Sequence, residues 1–239
     1  MKTYVSVILP ALKPDNEFLR CIYSIRVSFS DRMPYEIISV VSDLNAFDLL
    51  KADDIKFIQE DTSGIYGAMN KGIREAVGRY LYFIGQDDVL LPAVVKAVSA
   101  GFETGADLIL GNVYWGSRGI FRNSKLRHSL IWRNWCHQGI FYHRQKFIDT
   151  VTEYPVQYPV QADHCVNIIF SSGAKLKTFK FDGCVAWYSS DGFSSRFVDN
   201  NFREIFPKLI LQHFGHIPYF IVVVRRALLQ VLKFLRGGN

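Results

Sequence analysis

Short apolar runs rich in β-branched residues alternate with stretches of helical apolar spacing along the first half of the chain. Val5–Leu9, closed by Pro10, predicts a buried strand. Asp15 or Asn16 then stands where a helix N-cap is needed, ahead of Leu19, Ile22 and Ile25. Glu36–Val41 predicts a second buried strand closed by Ser42-Asp43, and Ile55–Ile58 a third. Gly64–Val77 predicts a helix stopped at Gly78. Tyr80–Ile84 predicts a fourth strand that runs into Gly85-Gln86-Asp87-Asp88. A helix over Pro92–Ala100 and a strand over Leu108–Leu110 follow.

This alternation predicts an α/β fold, a mostly parallel sheet flanked by helices on both faces. Ligands of such sheets bind at the carboxyl ends of the strands. Pro10, Asp43, Asp61 and the Asp87-Asp88 pair all fall just past a predicted strand end, so a site is expected along one rim. The second half is less regular. Residues 112–135 mix Gly, Ser, Arg and Trp and predict a loop. Gln138–Tyr142 predicts a strand, Gln161–Phe170 a helix, and Leu176–Phe181 and Cys184–Tyr188 two further strands.

The 239 residues suit one large α/β core better than two independent domains. The expected division is a catalytic domain over 1–205, with a nucleotide-binding part near 1–110 and an acceptor part near 111–205, then a helical segment over 206–239. The net charge of +6 is unevenly spread, with the basic excess in 117–147 and after 202. That pattern argues for an acidic ligand or an anionic membrane face and against a nucleic-acid groove. Aromatics at 15% fit stacking on bases or sugars, and equally a large core with a membrane-facing surface. The four cysteines form no CxxC pair, so no zinc site is expected, and buried free thiols of a reducing cytosol are the default. The N-terminal apolar run is too short for a signal peptide, and no stretch reaches the ~18 apolar residues of a membrane span.

Asp87 and Asp88 follow an apolar strand directly. Two adjacent carboxylates raise each other's pKa, and a divalent cation relieves that repulsion. Mg²⁺ and Mn²⁺ prefer hard oxygen ligands, commonly one or two carboxylates plus substrate phosphates. By itself the pair reads equally as a turn that caps the next helix.

The stretch from Asp61 to Asp88, DTSGIYGAMNKGIREAVGRYLYFIGQDD, resembles the central block of the family 2 (GT-A) glycosyltransferases. Val5–Pro10 and Glu36–Asp43 resemble that family's first two strands, and His137-Gln138 and Ala162-Asp163 two later blocks. Gly67 and Gln86 depart from the usual pattern, as does Ser42-Asp43. The resemblance implies a GT-A fold, a nucleotide-sugar donor, Mn²⁺ or Mg²⁺ at Asp87 and Asp88, and inversion at the anomeric carbon. It implies that Asp163 is the base that deprotonates the acceptor hydroxyl. Pro10, Asp43, Asp61 and Lys71 would line the donor. His137, and late in the chain Ser194 and Arg196 beside Asp191, are further candidates for acceptor or phosphate binding. Trp132, Trp135 and Tyr142 suit either a sugar platform or packing. A nucleotidyltransferase shares the sheet-plus-acidic-pair logic, but Pro10–Pro14 lacks the basic, Gly-rich phosphate loop it needs. A non-catalytic nucleotide-sugar-binding protein would not need Asp87, Asp88 and Asp163 together.

From Phe220 onward apolar residues recur at helical spacing, with Arg226, Gln230, Lys233 and Arg236 elsewhere on the wheel. That predicts a basic amphipathic helix for an anionic membrane interface, or for packing on the domain or a homodimer partner. The expected setting is the inner face of the cell membrane, with a glycan or lipid-linked acceptor.

Overall fold

The computed structural model describes residues 4–50, 52–62, 64–189 and 197–236. Strand β1 (Val5–Ala11) turns Val5, Val7 and Leu9 toward one face of a sheet and Ile8 toward the other. Helix α1 (Asn16–Phe29) follows, capped by Asp15, whose carboxylate accepts from the amides of Glu17 and Phe18 at 3.1 and 3.0 Å. Then come β2 (Tyr35–Val41), β3 (Ile55–Gln59), helix α2 (Ile65–Glu75) and β4 (Tyr80–Phe83). A two-residue β5 (Val89–Leu90) precedes helix α3 (Ala93–Glu103). The second half holds β6 (Leu108–Trp115), β7 (Ile120–Phe121), β8 (Ile140–His143), α4 (Arg144–Thr150), α5 (Ala162–Ser171), β9 (Thr178–Tyr188), α6 (Asn200–Phe214) and α7 (His216–Arg236).

The sheet runs β3-β2-β1-β4-β8-β6-β9-β5, with β7 beside β6. The strands β3, β2, β1 and β4 are parallel throughout, as the alternating pattern predicts. Beyond them β8 is antiparallel to both β4 and β6, while β9 returns parallel to β6. One face of the sheet packs on α1 and α3, through Phe18, Ile22, Val94 and Ala97. The other packs on α2, α4, α5 and α6, through Met69, Phe147, Val166, Phe170, Phe202 and Ile210. Each such side chain, moved out of water, stabilises by roughly 1.5–3 kcal/mol.

Several elements differ from the expectation. Residues 112–135 are not all loop: β6 runs on to Trp115, and β7 pairs with it. Gly111 there is a packing choice, because a Cβ would meet the Val185 methyls at 2.7 Å. The two expected late strands are one, β9, and its Asp182-Gly183 pair is a bulge against β6 rather than a turn. The Asn112 side-chain amide donates to Asp182 O at 2.6 Å across that bulge. Pro10 lies inside β1, opposite Val40, not beyond it. Helix α2 begins at Gly64, whose φ of 96° favours glycine, and stops at Ala76 rather than Gly78.

Helix α6 passes through residue 205 and contains Pro207. Proline has no N–H, so the Arg203 carbonyl one turn back loses its ladder partner. The Arg226 guanidinium on α7 donates to that carbonyl, so the two helices dock at the gap.

Candidate active site

The ends of β1, β2, β3 and β4 lie along one rim, because Ala11 pairs with Val41, Val41 with Gln59 and Ile8 with Phe83. After β4 the chain turns tightly, with the Asp88 amide donating to Gly85 O at 3.1 Å. The turn folds both carboxylates back over Gly85. Asp87 Oδ1 and Asp88 Oδ2 stand 2.8 and 3.0 Å from the point where a Gly85 side chain would begin. The two carboxylates therefore reach the same spot above Gly85, and a side chain there would push them aside.

Asp88 is buried. Its Oδ2 accepts from the Gly85 amide at 3.0 Å and the Gln138 side-chain amide at 2.9 Å, and its Oδ1 accepts from the Ser189 amide at 3.0 Å. Burial first and the Asp87 charge second push its pKa up to about 7, against the pull of those three donors. Gln86 ties this turn to the β1 end, accepting from the Leu12 amide at 2.7 Å and lying 3.4 Å from the Asp15 carboxylate. Arg20 on α1 donates to Asp87 O at 2.9 Å.

A divalent cation fits what remains. Asp88 Oδ2 is filled by two donors, but Oδ1 accepts only one and keeps a lone pair. No side-chain hydrogen bond to Asp87 occurs among the described residues. The described residues contain no cluster of three or more His, Cys, Asp or Glu ligands. Such a pair matches the Mg²⁺-type mode in which substrate phosphates and water complete the shell.

The other rim candidates are spread out. Asp43 is exposed, and its Oδ1 accepts from the Asn45 amide at 3.0 Å in a local turn. Asp61 is held by Lys71 Nζ at 3.1 Å and by Arg74 at 2.9 Å, so Lys71 points to Asp61 in this structure. Those two cations lower the Asp61 pKa, Lys71 chiefly. Asp61 is not the cap of α2, which is Gly64.

Asp163 lies in the first turn of α5 and is half-buried. Its Oδ1 accepts from its neighbour's amide, His164 N, at 2.8 Å and lies 3.1 Å from the Tyr66 hydroxyl. Its Oδ2 accepts from the Asn134 side-chain amide at 2.7 Å. Burial pushes its pKa up to about 6, and these donors hold it from rising further. Asp199, which caps α6, also receives the amides of Val160 and Gln161 at 3.3 Å and so fixes the entry to α5. The five residues Asn134–Gln138 join the two acidic sites, because Asn134 reaches Asp163 and Gln138 reaches Asp88.

His137 is buried between Phe83 and Tyr154, with both ring nitrogens unpartnered. Burial lowers its pKa to about 4, so its neutral ring offers no charge to a phosphate. Trp135 and Tyr142 are core residues, and only Trp132 of the three aromatic candidates is exposed. Ser194 and Arg196, with Asp191, lie outside the described residues.

Residues missed in the sequence are chiefly neutral polar ones: Tyr66, Gln86, Asn134 and Asn167. Asn134 between Trp132 and Trp135, and Asn167 in an apolar run, carry a signal, since a buried amide requires partners. Nothing in the sequence shows that they serve the same carboxylate.

The model of the Glycosyl transferase family 2 matches residues 6–166, more than half of the chain. A "PGL/p-HBAD biosynthesis glycosyltransferase" of Mycobacterium bovis BCG is 38% identical over 181 residues, 71% of this chain and 67% of that protein. A relative of the same description in Mycobacterium tuberculosis H37Rv matches to the same extent. Among solved structures, Staphylococcus aureus TarS 1–349 in complex with UDP-GlcNAc superposes with a TM-score of 0.71. That match covers 87% of this chain and 66% of the TarS fragment at 17% identity, a likeness of fold. With the GT-A arrangement of the sheet and the matched block ending in the Asp87-Asp88 rim, the chain belongs to glycosyl transferase family 2 and is a glycosyltransferase.

Proposed function

We propose that the chain moves a sugar from a nucleotide-diphosphate donor to a hydroxyl of a glycan or lipid-linked acceptor, with inversion at the anomeric carbon. The observation that carries this reading is the pairing of two acidic sites through one five-residue segment: Asp87 and Asp88 converging over Gly85, and Asp163 held by Asn134. In this reading residues 1–110 hold the donor and 111–205 face the acceptor. Pro10 and Asp43 meet the nucleoside, and Asp61 and Lys71 stand beside it. Asp163 takes the proton of the acceptor hydroxyl as that oxygen bonds to the anomeric carbon, and the departing bond leaves its electron pair on the diphosphate. Attack from the face opposite the diphosphate inverts the centre. Mn²⁺ or Mg²⁺ held by Asp87 and Asp88 would neutralise the leaving diphosphate. The TarS complexes with UDP-GlcNAc and UDP support a nucleotide-sugar donor.

The test is Asp163→Asn. Transfer should fall by about 10²–10⁴-fold while donor binding by calorimetry stays unchanged. Normal turnover would remove the base assignment. A thermal-shift screen of nucleoside diphosphates, with and without Mn²⁺, identifies the donor by mass-action stabilisation.

We further place the enzyme in the synthesis of a cell-surface glycolipid or polysaccharide, at the cytoplasmic face of a membrane. The names of the mycobacterial relatives support the first part. Helix α7 supports the second. It exposes Ile217, Phe220, Leu228, Val231 and Phe234, carries Arg225, Arg226 and Lys233, and has no acidic residue. With Trp132 it forms an apolar groove of about 500 Å³. No described helix is long and apolar enough to cross a membrane, so α7 would lie in the interface. Deleting residues 217–239 should release the protein from anionic vesicles. Unchanged co-sedimentation contradicts the anchor, and a halved native mass on deletion would point instead to a homodimer face.

A further inference from the structure

A second set of buried polar groups lies behind Asp163. The Tyr142 hydroxyl on β8 donates to Asn167 Oδ1. Asn167 Nδ2 donates to Asn134 Oδ1 at 2.8 Å, and Asn134 Nδ2 donates to Asp163 Oδ2 at 2.7 Å. Tyr142 and Asn167 are fully buried, so neither of these groups can turn to water instead. A tyrosine hydroxyl has one proton, and an amide has a donor end and an acceptor end. The chain of bonds therefore has a direction. The direction is set where an ionised Asp163, which can only accept, meets Asn134: Nδ2 faces the carboxylate, Oδ1 takes the Asn167 amide, and the Tyr142 hydroxyl, in donating to Asn167 Oδ1, completes the same order.

We propose that Tyr142, Asn167 and Asn134 form a one-way hydrogen-bond relay that fixes Asp163 as an acceptor at Oδ2 and leaves that oxygen's second lone pair for the incoming hydroxyl. The proposal rests on the base reading of Asp163. Tyr142, Asn167 and Asn134 are positioning residues in it. If Asn134 were reversed, its carbonyl would face the carboxylate, acceptor against acceptor, and Asp163 would turn or hold a proton. Reversing Asn134 alone would also set its NH₂ against that of Asn167, donor against donor, which disfavours that state.

The ionisable groups around Asp163 are Tyr66 from α2, Cys136 from the 134–138 segment, Tyr142 from β8, Tyr154 before α5, and His164 and Cys165 on its own helix. Asp199 stands beyond Tyr66. The His164 ring is lowered to about 4 by burial and bonds Leu130 O at 2.8 Å, so it is neutral. Among these groups none is a cation. Neutral donors are then what holds the charge on Asp163, the Tyr66 hydroxyl first and then the His164 and Asn134 amides, and the last link of the relay is one of them.

The experiment follows the Asp163 carboxyl by ¹³C NMR titration in the intact chain, beside the pH profile of transfer. In Asn134→Ala the titration midpoint should rise by about one unit, as expected for losing a hydrogen bond to a charged group. Tyr142→Phe keeps every direct hydrogen bond of Asp163 and removes the proton that Asn167 Oδ1 accepts at the far end of the relay. Its midpoint should rise too, by less, and the acidic limb of the profile should move with it. A role in packing alone would lower stability and leave both midpoints in place, and that outcome overturns the relay. Asn134→Ser, which retains a donor, should restore part of the shift. The midpoints are read whether or not the protein turns over. Failure of Asp163→Asn to lose transfer would sink the base reading, and unmoved midpoints would sink the relay.

Discussion

Replacing Asp88 by asparagine separates the stability of this fold from its function. The acid is buried beside Asp87, and its pKa in the folded protein is about 7 against 3.8 when free. Below about pH 4 both states carry the proton and Asp88 contributes no slope. Between about pH 4 and 7 the folded state holds the proton while the unfolded chain releases it. The folded state then binds more protons, so stability falls as pH rises through this window and levels off above about pH 7. From pH 5 to pH 7 the slope is nearly full at first and halves as the folded carboxyl reaches its own pKa, so about 2 kcal/mol is lost by the metal-free wild type through this one group.

In Asp88→Asn the new amide does not titrate, so the variant should lose none of that increment. It carries a constant penalty instead. Three N–H groups converge on the Asp88 oxygens, and an amide turns one of them to NH₂ against a donor, costing roughly 1–3 kcal/mol at every pH. The penalty cancels when slopes are compared. Urea unfolding in EDTA at pH 5, 6, 7 and 8 measures it: the variant should gain about 2 kcal/mol on wild type between pH 5 and 7. Asp163, raised to about 6, gives both proteins the same further decline. Mn²⁺ with a nucleoside diphosphate should stabilise wild type at pH 8 and leave the variant unmoved. Parallel pH curves would refute the reasoning, because they would mean that Asp88 stays ionised when folded and has no need of a cation.

Two further substitutions test how the motif around α2 works. Asn70 accepts from the Tyr154 amide at 2.7 Å and donates to Tyr154 O at 2.9 Å, both buried, so Asn70→Ala should cost about 2–4 kcal/mol by chemical denaturation. An unchanged midpoint would mean that water replaces the amide. Gly67 sits where a Cβ would fall 2.3 Å from Thr62 O, so Gly67→Ala should destabilise by roughly 1–3 kcal/mol and Gly67→Asp by at least as much. A neutral result in thermal melts would show that the Thr62 backbone moves aside freely.

The parallel half of the fold is legible because β1, β2 and β4 are largely buried on both faces and read as apolar runs broken only by Ser6, Glu36 and Ser39. Asp15 marks the start of α1 by the same chemistry that caps it. Legibility fails where a local signal has a tertiary cause. Gly111-Asn112 and Asp182-Gly183 look like turns, yet one accommodates Val185 and the pair forms a bulge between β6 and β9. Pro207 looks like a helix stop, but Arg226 takes the carbonyl it frees and α6 continues. In the site the sequence points to the candidate acids. It does not show their surroundings, since Gln138, Asn134 and Ser189 reach those acids from distant parts of the chain.

Those surroundings are what give the acids different work. Asp88 and Asp163 are both raised by burial, but the next cause differs. Asp88 has a like charge beside it in Asp87, and its neutral donors do not offset that repulsion. Added positive charge would relieve it, which is why the proposed reading puts a cation, and with it a diphosphate, at this site. Asp163 is raised by burial alone and lowered by every hydrogen bond it makes. At about 6 it is ionised near neutral pH yet basic enough to take a proton from a hydroxyl that is losing it, which is the range a general base needs. Had the two environments been exchanged, a cation beside Asp163 would depress its basicity, and Asp88 without Asp87 would hold a cation poorly. The segment Asn134–Gln138 keeps the environments apart while fixing both, with one amide on each acid.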